Sequence, residues 1–148
     1  MRPRVLMDTG PLVAGLNRQD RFHLWAKARL GELEPPISTC EPVLAEACFL
    51  LRGTAGGAAA VLKLVERGVL QVTFQVSPHT TSLATLMTKY ANLPMSLADA
   101  CLVRMTELDE SSVVMTLDCD FLVYRRHGRQ AIPVLMPPEF PAADRSSY

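Results

Sequence analysis

Short apolar runs alternate with longer stretches whose apolar residues recur at helical spacing, from one end of the chain to the other. Residues 4–7 are apolar after Arg4 and stop at Asp8-Thr9-Gly10-Pro11, which reads as a strand followed by a helix start. Pro11 suits a first helical turn, where the N–H it lacks would have no partner. Leu12, Val13 and Leu16 then recur at helical spacing. A 3.6-residue period predicts a second helix over 20–33, capped by Asp20, with Phe22, Trp25, Ala26, Arg29 and Leu30 along it. Pro35-Pro36 breaks that helix, and 37–40 reads as a second strand. Helices are expected over 41–52 and 58–67, with Gly56-Gly57 as a hinge and Gly68 as a stop. Leu70, Val72, Phe74 and Val76 alternate, so 69–76 reads as a strand.

Further helices are predicted over 77–90 and 96–108, broken by Asn92 to Pro94. Residues 113–117 form a continuous apolar run, the kind of strand buried on both faces of a parallel sheet. A short helix over 119–126 and a strand over 132–136 complete the pattern. The chain therefore divides into one domain, 1–137, and a Pro-rich polar tail, 138–148. Strands alternating with helices imply an α/β fold, a three-layer α/β/α sandwich with a mainly parallel sheet of four to five strands. Such sheets place ligands beyond the carboxyl ends of their strands.

Composition fits one domain: 148 residues, 49% of them hydrophobic and 20% charged, which excludes a disordered chain. Fifteen basic and fifteen acidic residues cancel, so no global basic field marks a nucleic-acid partner. No run of 18 apolar residues exists to span a membrane. Asp8 interrupts the apolar start and no small-residue cleavage site follows, so a soluble, cytoplasmic protein is expected. Cys40, Cys48, Cys101 and Cys119 lack metal-binding spacing and read as small buried hydrophobes. His23 and His79 fall outside any acidic cluster and read as surface residues.

Four acids stand in places that plain solubility does not explain. Asp8 and Asp118 each end a predicted strand, where they serve either as helix caps or in chemistry. Glu46 is the one charge in PVLAEACFLL, with Val43 and Leu50 on its face; it either reaches solvent or is met by a cation. Asp99 lies three residues after Ser96, the spacing of a capping box, and can also face the strand ends. Carboxylates that crowd together ionised require a cation, and oxygen-only donors favour Mg²⁺ or Mn²⁺ over zinc. Asp120 either adds a further oxygen ligand or starts the last helix, while Thr9 and Thr116 offer hydroxyls beside the site.

These residues resemble the PIN-domain ribonucleases, in particular VapC-type toxins of type II toxin–antitoxin pairs. The matching pieces are VLMDTGPLVAGLNRQDRFH, EPVLAEACFLL, MSLADACLV and TLDCDF followed by VYRRHG, in the family's order over about residues 4–136. The resemblance implies catalysis by Asp8, Glu46, Asp99 and Asp118, and a metal held by Asp8, Asp99, Asp118 and Asp120. It also implies Mg²⁺ or Mn²⁺ as cofactor, an RNA substrate cut to a 5′-phosphate and a 3′-hydroxyl, a homodimer, and a small antitoxin partner.

With the five acids set aside, fifteen bases face ten acids elsewhere. Arg125, Arg126 and Arg129, with His127, cluster just past Asp118; they either solvate the last helix or meet an RNA backbone. Aromatic residues are only 6% of the chain, so recognition by RNA shape is expected over extensive base stacking. Trp25, Phe22 and Leu12 lie where the family would place dimer or antitoxin contacts, although ordinary core packing suits Trp25 better. Three rival readings stand beside this one. A phosphatase of the haloacid-dehalogenase type wants an Asp where Gly10 stands. The others are a PIN-like RNA- or protein-binding module that does not cleave, and a stand-alone RNA-processing nuclease.

Overall fold

A computed structural model describes residues 2–140 of the chain. In order, the elements are β1 (Val5–Met7), α1 (Thr9–Leu16), α2 (His23–Glu32), β2 (Ile37–Cys40), α3 (Glu41–Leu50), α4 (Gly57–Glu66) and β3 (Leu70–Phe74). Then follow α5 (Thr80–Lys89), α6 (Leu97–Leu108), β4 (Val113–Met115), β5 (Arg125–Arg126), β6 (Gln130–Ala131) and β7 (Val134–Leu135). Five strands form one parallel sheet in the order β3-β2-β1-β4-β7.

Neighbouring residues on a strand face opposite sides of its sheet. Leu6 and Met7 on β1, and Val114 and Met115 on β4, are all buried, so both faces of the sheet centre are covered. That is the α/β/α layering expected. The core continues into α6 through Ala98, Cys101, Leu102 and Met105, and into α1 through Leu12 and Ala14. No helix among the described residues is long and apolar enough to cross a membrane.

Strand order sets the position of the site. The chain steps outward from β1 to β2 to β3, then returns to lay β4 on the other side of β1. The direction of winding therefore reverses between β1 and β4, and a crevice opens at such a switch point, beyond the carboxyl ends of the strands. Asp8 follows β1 and Asp118 lies just past β4.

Several local expectations change. The second helix starts at His23 because Asp20 Oδ1 accepts the Phe22 N–H, which spends that carboxylate on a preceding turn. β4 stops at Met115, where Thr116 turns its hydroxyl toward Asp8. The helix expected over 119–126 is a 3₁₀ turn, Cys119–Leu122, and β5 and β6 form an antiparallel hairpin after it. His127 (φ 52) and Gly128 (φ 81) turn that hairpin with positive φ at both central positions, which favours Gly and tolerates His.

The histidines are not free on the surface. His23 Nδ1 lies 2.8 Å from the Ala14 carbonyl, and the His79 ring stacks on Phe74 with 4.8 Å between centroids. Cys40 and Cys101 are buried as expected, whereas Cys119 is exposed. Leu12 is fully buried in the core, and Trp25 is partly buried against it. Of the expected tail, Pro138 to Phe140 are described: the Phe140 N–H returns to the Pro137 carbonyl and its ring stacks on Phe22 at 5.9 Å. Residues 141–148 of that tail lie outside the described residues.

Candidate active site

β1 delivers Asp8 to the end of the sheet, where the Asp8 backbone N–H bonds the Met115 carbonyl across to β4. The Asp8 side chain caps α1 by accepting the Thr9 N–H on Oδ1 at 2.8 Å. Its Oδ2 accepts the Thr116 hydroxyl at 2.7 Å, and the same hydroxyl accepts the Asp118 N–H at 2.9 Å. One threonine thus ties the acid after β1 to the acid after β4. Asp118 Oδ1 in turn accepts the Asp120 N–H at 2.9 Å, capping the 3₁₀ turn. Capping and site geometry are the same contacts here, not competing uses of the two residues.

Glu46 enters from α3. Its Oε2 accepts the Thr9 hydroxyl at 2.9 Å, which links α3 to the first turn of α1. The wall around Glu46 is not a buried one: Leu50 is 56% and Phe49 62% exposed, and Glu46 itself is exposed. The desolvation case for a cation at Glu46 therefore fails, because Val43 points into the core while Ala45, Phe49 and Leu50 line an open depression of about 400 Å³ beside the carboxylate.

Asp99 sits in the first turn of α6. The capping box is formed in full: Ser96 Oγ accepts the Asp99 N–H at 3.0 Å, and Asp99 Oδ2 accepts the Ser96 N–H at 3.1 Å. Oδ2 also receives the Tyr124 hydroxyl at 3.3 Å. Nothing in the apolar pattern singles out Tyr124; the nearest cue is an aromatic residue interrupting the basic segment after Asp120.

Electrostatics joins what the hydrogen bonds leave apart. Burial drives the Asp8 carboxyl up to about 7; the Thr116 and Thr9 hydrogen bonds pull the other way without offsetting it, and Asp99 and Asp118 add to the rise. Asp99 is also raised, by burial first and then by Asp118, and Asp120 by burial and then Asp118. Tyr124 is pushed well above the ordinary phenol range by burial and by Asp99, Asp120 and Asp118. Asp8, Asp99, Asp118 and Asp120 thus share one field, with Glu46 attached through Thr9. Among the described residues no Lys, Arg or His forms an ion pair with any of these five acids.

A hard divalent cation fits this donor set. The donors are all oxygen, negative charge accumulates without an ion-paired base among the described residues, and Asp99 Oδ1, Asp118 Oδ2 and Glu46 Oε1 receive no hydrogen bond within them. Three His, Cys, Asp or Glu side chains do not close into a ready cage among the described residues. Mg²⁺ characteristically keeps several waters and takes only one or two carboxylates, so a closed cage is not what it asks for.

The basic cluster is drawn inward. Arg125 Nη1 donates to the carbonyls of Leu122, Val123 and Tyr124, and Arg126 Nη1 to those of Thr106 and Glu110 beside the end of α6. Arg129 is exposed. A cavity of about 740 Å³ lies at the opposite end of the sheet, against Arg4, Val5, Val113 and Val134, and none of the five acids lines it.

No protein-family model matches the chain, and no curated protein matches it. Among solved structures, Mycobacterium tuberculosis VapC20, described as a sarcin-ricin loop cleaving toxin, superposes with a TM-score of 0.72 at 21% sequence identity. The match covers 80% of this chain and 93% of that one. Identity this low speaks for architecture alone: the chain shares its α/β/α fold around a parallel sheet with this toxin structure.

Proposed function

We propose that this chain is a divalent-metal-dependent endoribonuclease, the toxin of a toxin–antitoxin pair, acting as a homodimer and restrained by a small antitoxin. The observation that carries the reading is the pairing of Asp8 and Asp118 through Thr116 at the switch point of the sheet, with Asp99 in the same field and no ion-paired base among the described residues. Mg²⁺ or Mn²⁺ would be held among Asp8, Asp99 and Asp118, with Asp120 alongside, one or two of these carboxylates directly and the others through the ion's waters. When bound, the ion supplies charge neutralisation at a phosphodiester and a more acidic water.

The protein's own part is placement. Thr9 and Thr116 hold Asp8 by both oxygens, and Thr9 fixes Glu46 at the mouth of the site, where it can orient or deprotonate an attacking water. Arg129 is the exposed member of the basic cluster and would meet the RNA backbone; Arg125 and Arg126 would contribute positive potential while bonded to main-chain carbonyls. The similar toxin is described as cleaving the sarcin-ricin loop, and a structured RNA loop read by shape is the substrate class proposed here.

The test is cleavage of a sarcin-ricin loop hairpin and of total RNA by the purified chain, with and without Mg²⁺ or Mn²⁺. The reading expects cuts that EDTA abolishes and that Asp8→Asn and Asp99→Asn reduce more than about 100-fold, beyond what outer hydrogen-bond partners cost. Binding of RNA without cleavage at any metal concentration would make the chain a non-cleaving module instead.

A further inference from the structure

Tyr124 is fully buried, yet its hydroxyl ends at the site. Its ring is wedged edge-on between Phe121 and Tyr90, at 5.2 and 5.1 Å between centroids, and its N–H bonds the Asp120 carbonyl at 2.9 Å. It therefore moves as one piece with the turn that carries Asp118 and Asp120. From there the hydroxyl crosses to α6 and donates to Asp99 Oδ2. The Ser96 N–H lands on the same oxygen, and within the described residues no donor reaches Oδ1.

We infer that Tyr124 is a positioning residue for metal binding: with the Ser96 N–H it saturates Oδ2 of Asp99, fixes the carboxylate plane, and reserves Oδ1 for the divalent ion. This rests on the metal-dependent reading above. A ligating carboxylate held by an outer hydrogen bond loses less orientational entropy on binding its ion, and removal of such a partner typically weakens affinity 10- to 100-fold.

Tyr90 provides the matched control, because it belongs to the same ring cluster but its hydroxyl accepts the Arg125 N–H at 3.0 Å and bonds no acid among the described residues. The experiment titrates Mn²⁺ into full-length wild type, Tyr124→Phe and Tyr90→Phe by calorimetry, alongside metal-free melting curves. Tyr124→Phe should bind Mn²⁺ about 10-fold more weakly and need correspondingly more Mn²⁺ for half-maximal cleavage, with its metal-free melting temperature little changed. Tyr90→Phe should melt earlier and bind Mn²⁺ like wild type. Wild-type affinity in Tyr124→Phe overturns the inference, as does equal weakening in Tyr90→Phe, which would assign the effect to ring packing. Failure of wild type itself to bind Mn²⁺ overturns the metal reading first, and is distinguished from both by that missing wild-type signal.

Discussion

Burial governs Asp8 before any ligand arrives. Its carboxyl titrates near 7 in the folded chain and near 3.8 when unfolded. Below about 4 both states hold the proton and Asp8 has no effect on stability. Between there and 7 the folded state keeps a proton that the unfolded state has lost, so stability falls as pH rises. Above 7 the full penalty of an ionised, buried carboxylate is present. The metal-free protein should therefore melt on the order of 5 °C lower at pH 8 than at pH 5 from this group. Asp8→Asn, which keeps an N-capping oxygen, should flatten that dependence and raise the melting temperature at pH 8. Melting curves across pH on the two proteins check this, and an Asn variant no more stable at pH 8 would contradict it.

At the scale of elements, Arg126 has a structural duty that its charge conceals. Its guanidinium bonds the Thr106 carbonyl in the last turns of α6 and the Glu110 carbonyl beyond it, where a cation also meets the negative end of the helix. Arg126→Gln should cost about 1 kcal/mol by chemical denaturation. An unchanged midpoint would refute the cap. In sequence the basic run after Asp118 reads as one helix face because Val-Tyr-Arg-Arg carries no visible break. The hairpin is signalled only by His127-Gly128, whose positive φ pair is easily passed over when the first residue is not Asn or Asp. By contrast β2 and the capping box of α6 are legible, since Pro35-Pro36 and the Ser96–Asp99 spacing act locally. Periodicity misjudges the surroundings of Glu46: it tells which side chains share a face, but only tertiary packing tells whether anything covers it. Tyr124 escapes sequence reasoning for a related reason, its partner lying 25 positions away.

For the whole molecule, a formal net charge of zero conceals an uneven distribution, with acids concentrated at one rim of the sheet. A binding mode built on neutralised phosphates makes affinity fall with salt, by close to one unit of logarithmic slope for each phosphate a cation meets. Arg129→Gln, which removes an exposed guanidinium, should lower the slope of log affinity against log salt by about 1 for an uncleavable RNA hairpin. An unchanged slope removes Arg129 from the interface. Arg125 and Arg126 are poorer probes, because substituting either also releases main-chain carbonyls.

The stacking of Phe140 on Phe22 bears on where this domain can be shortened. A chain cut after Pro137 would strip the cover from an aromatic ring at the entry to α2 and leave Arg21, 4.9 Å above that ring, as its neighbour. Such a truncation should be stickier and less soluble than one ending after Phe140, a difference light scattering of the two would register. On that outcome the expected boundary after Pro137 would move beyond Phe140.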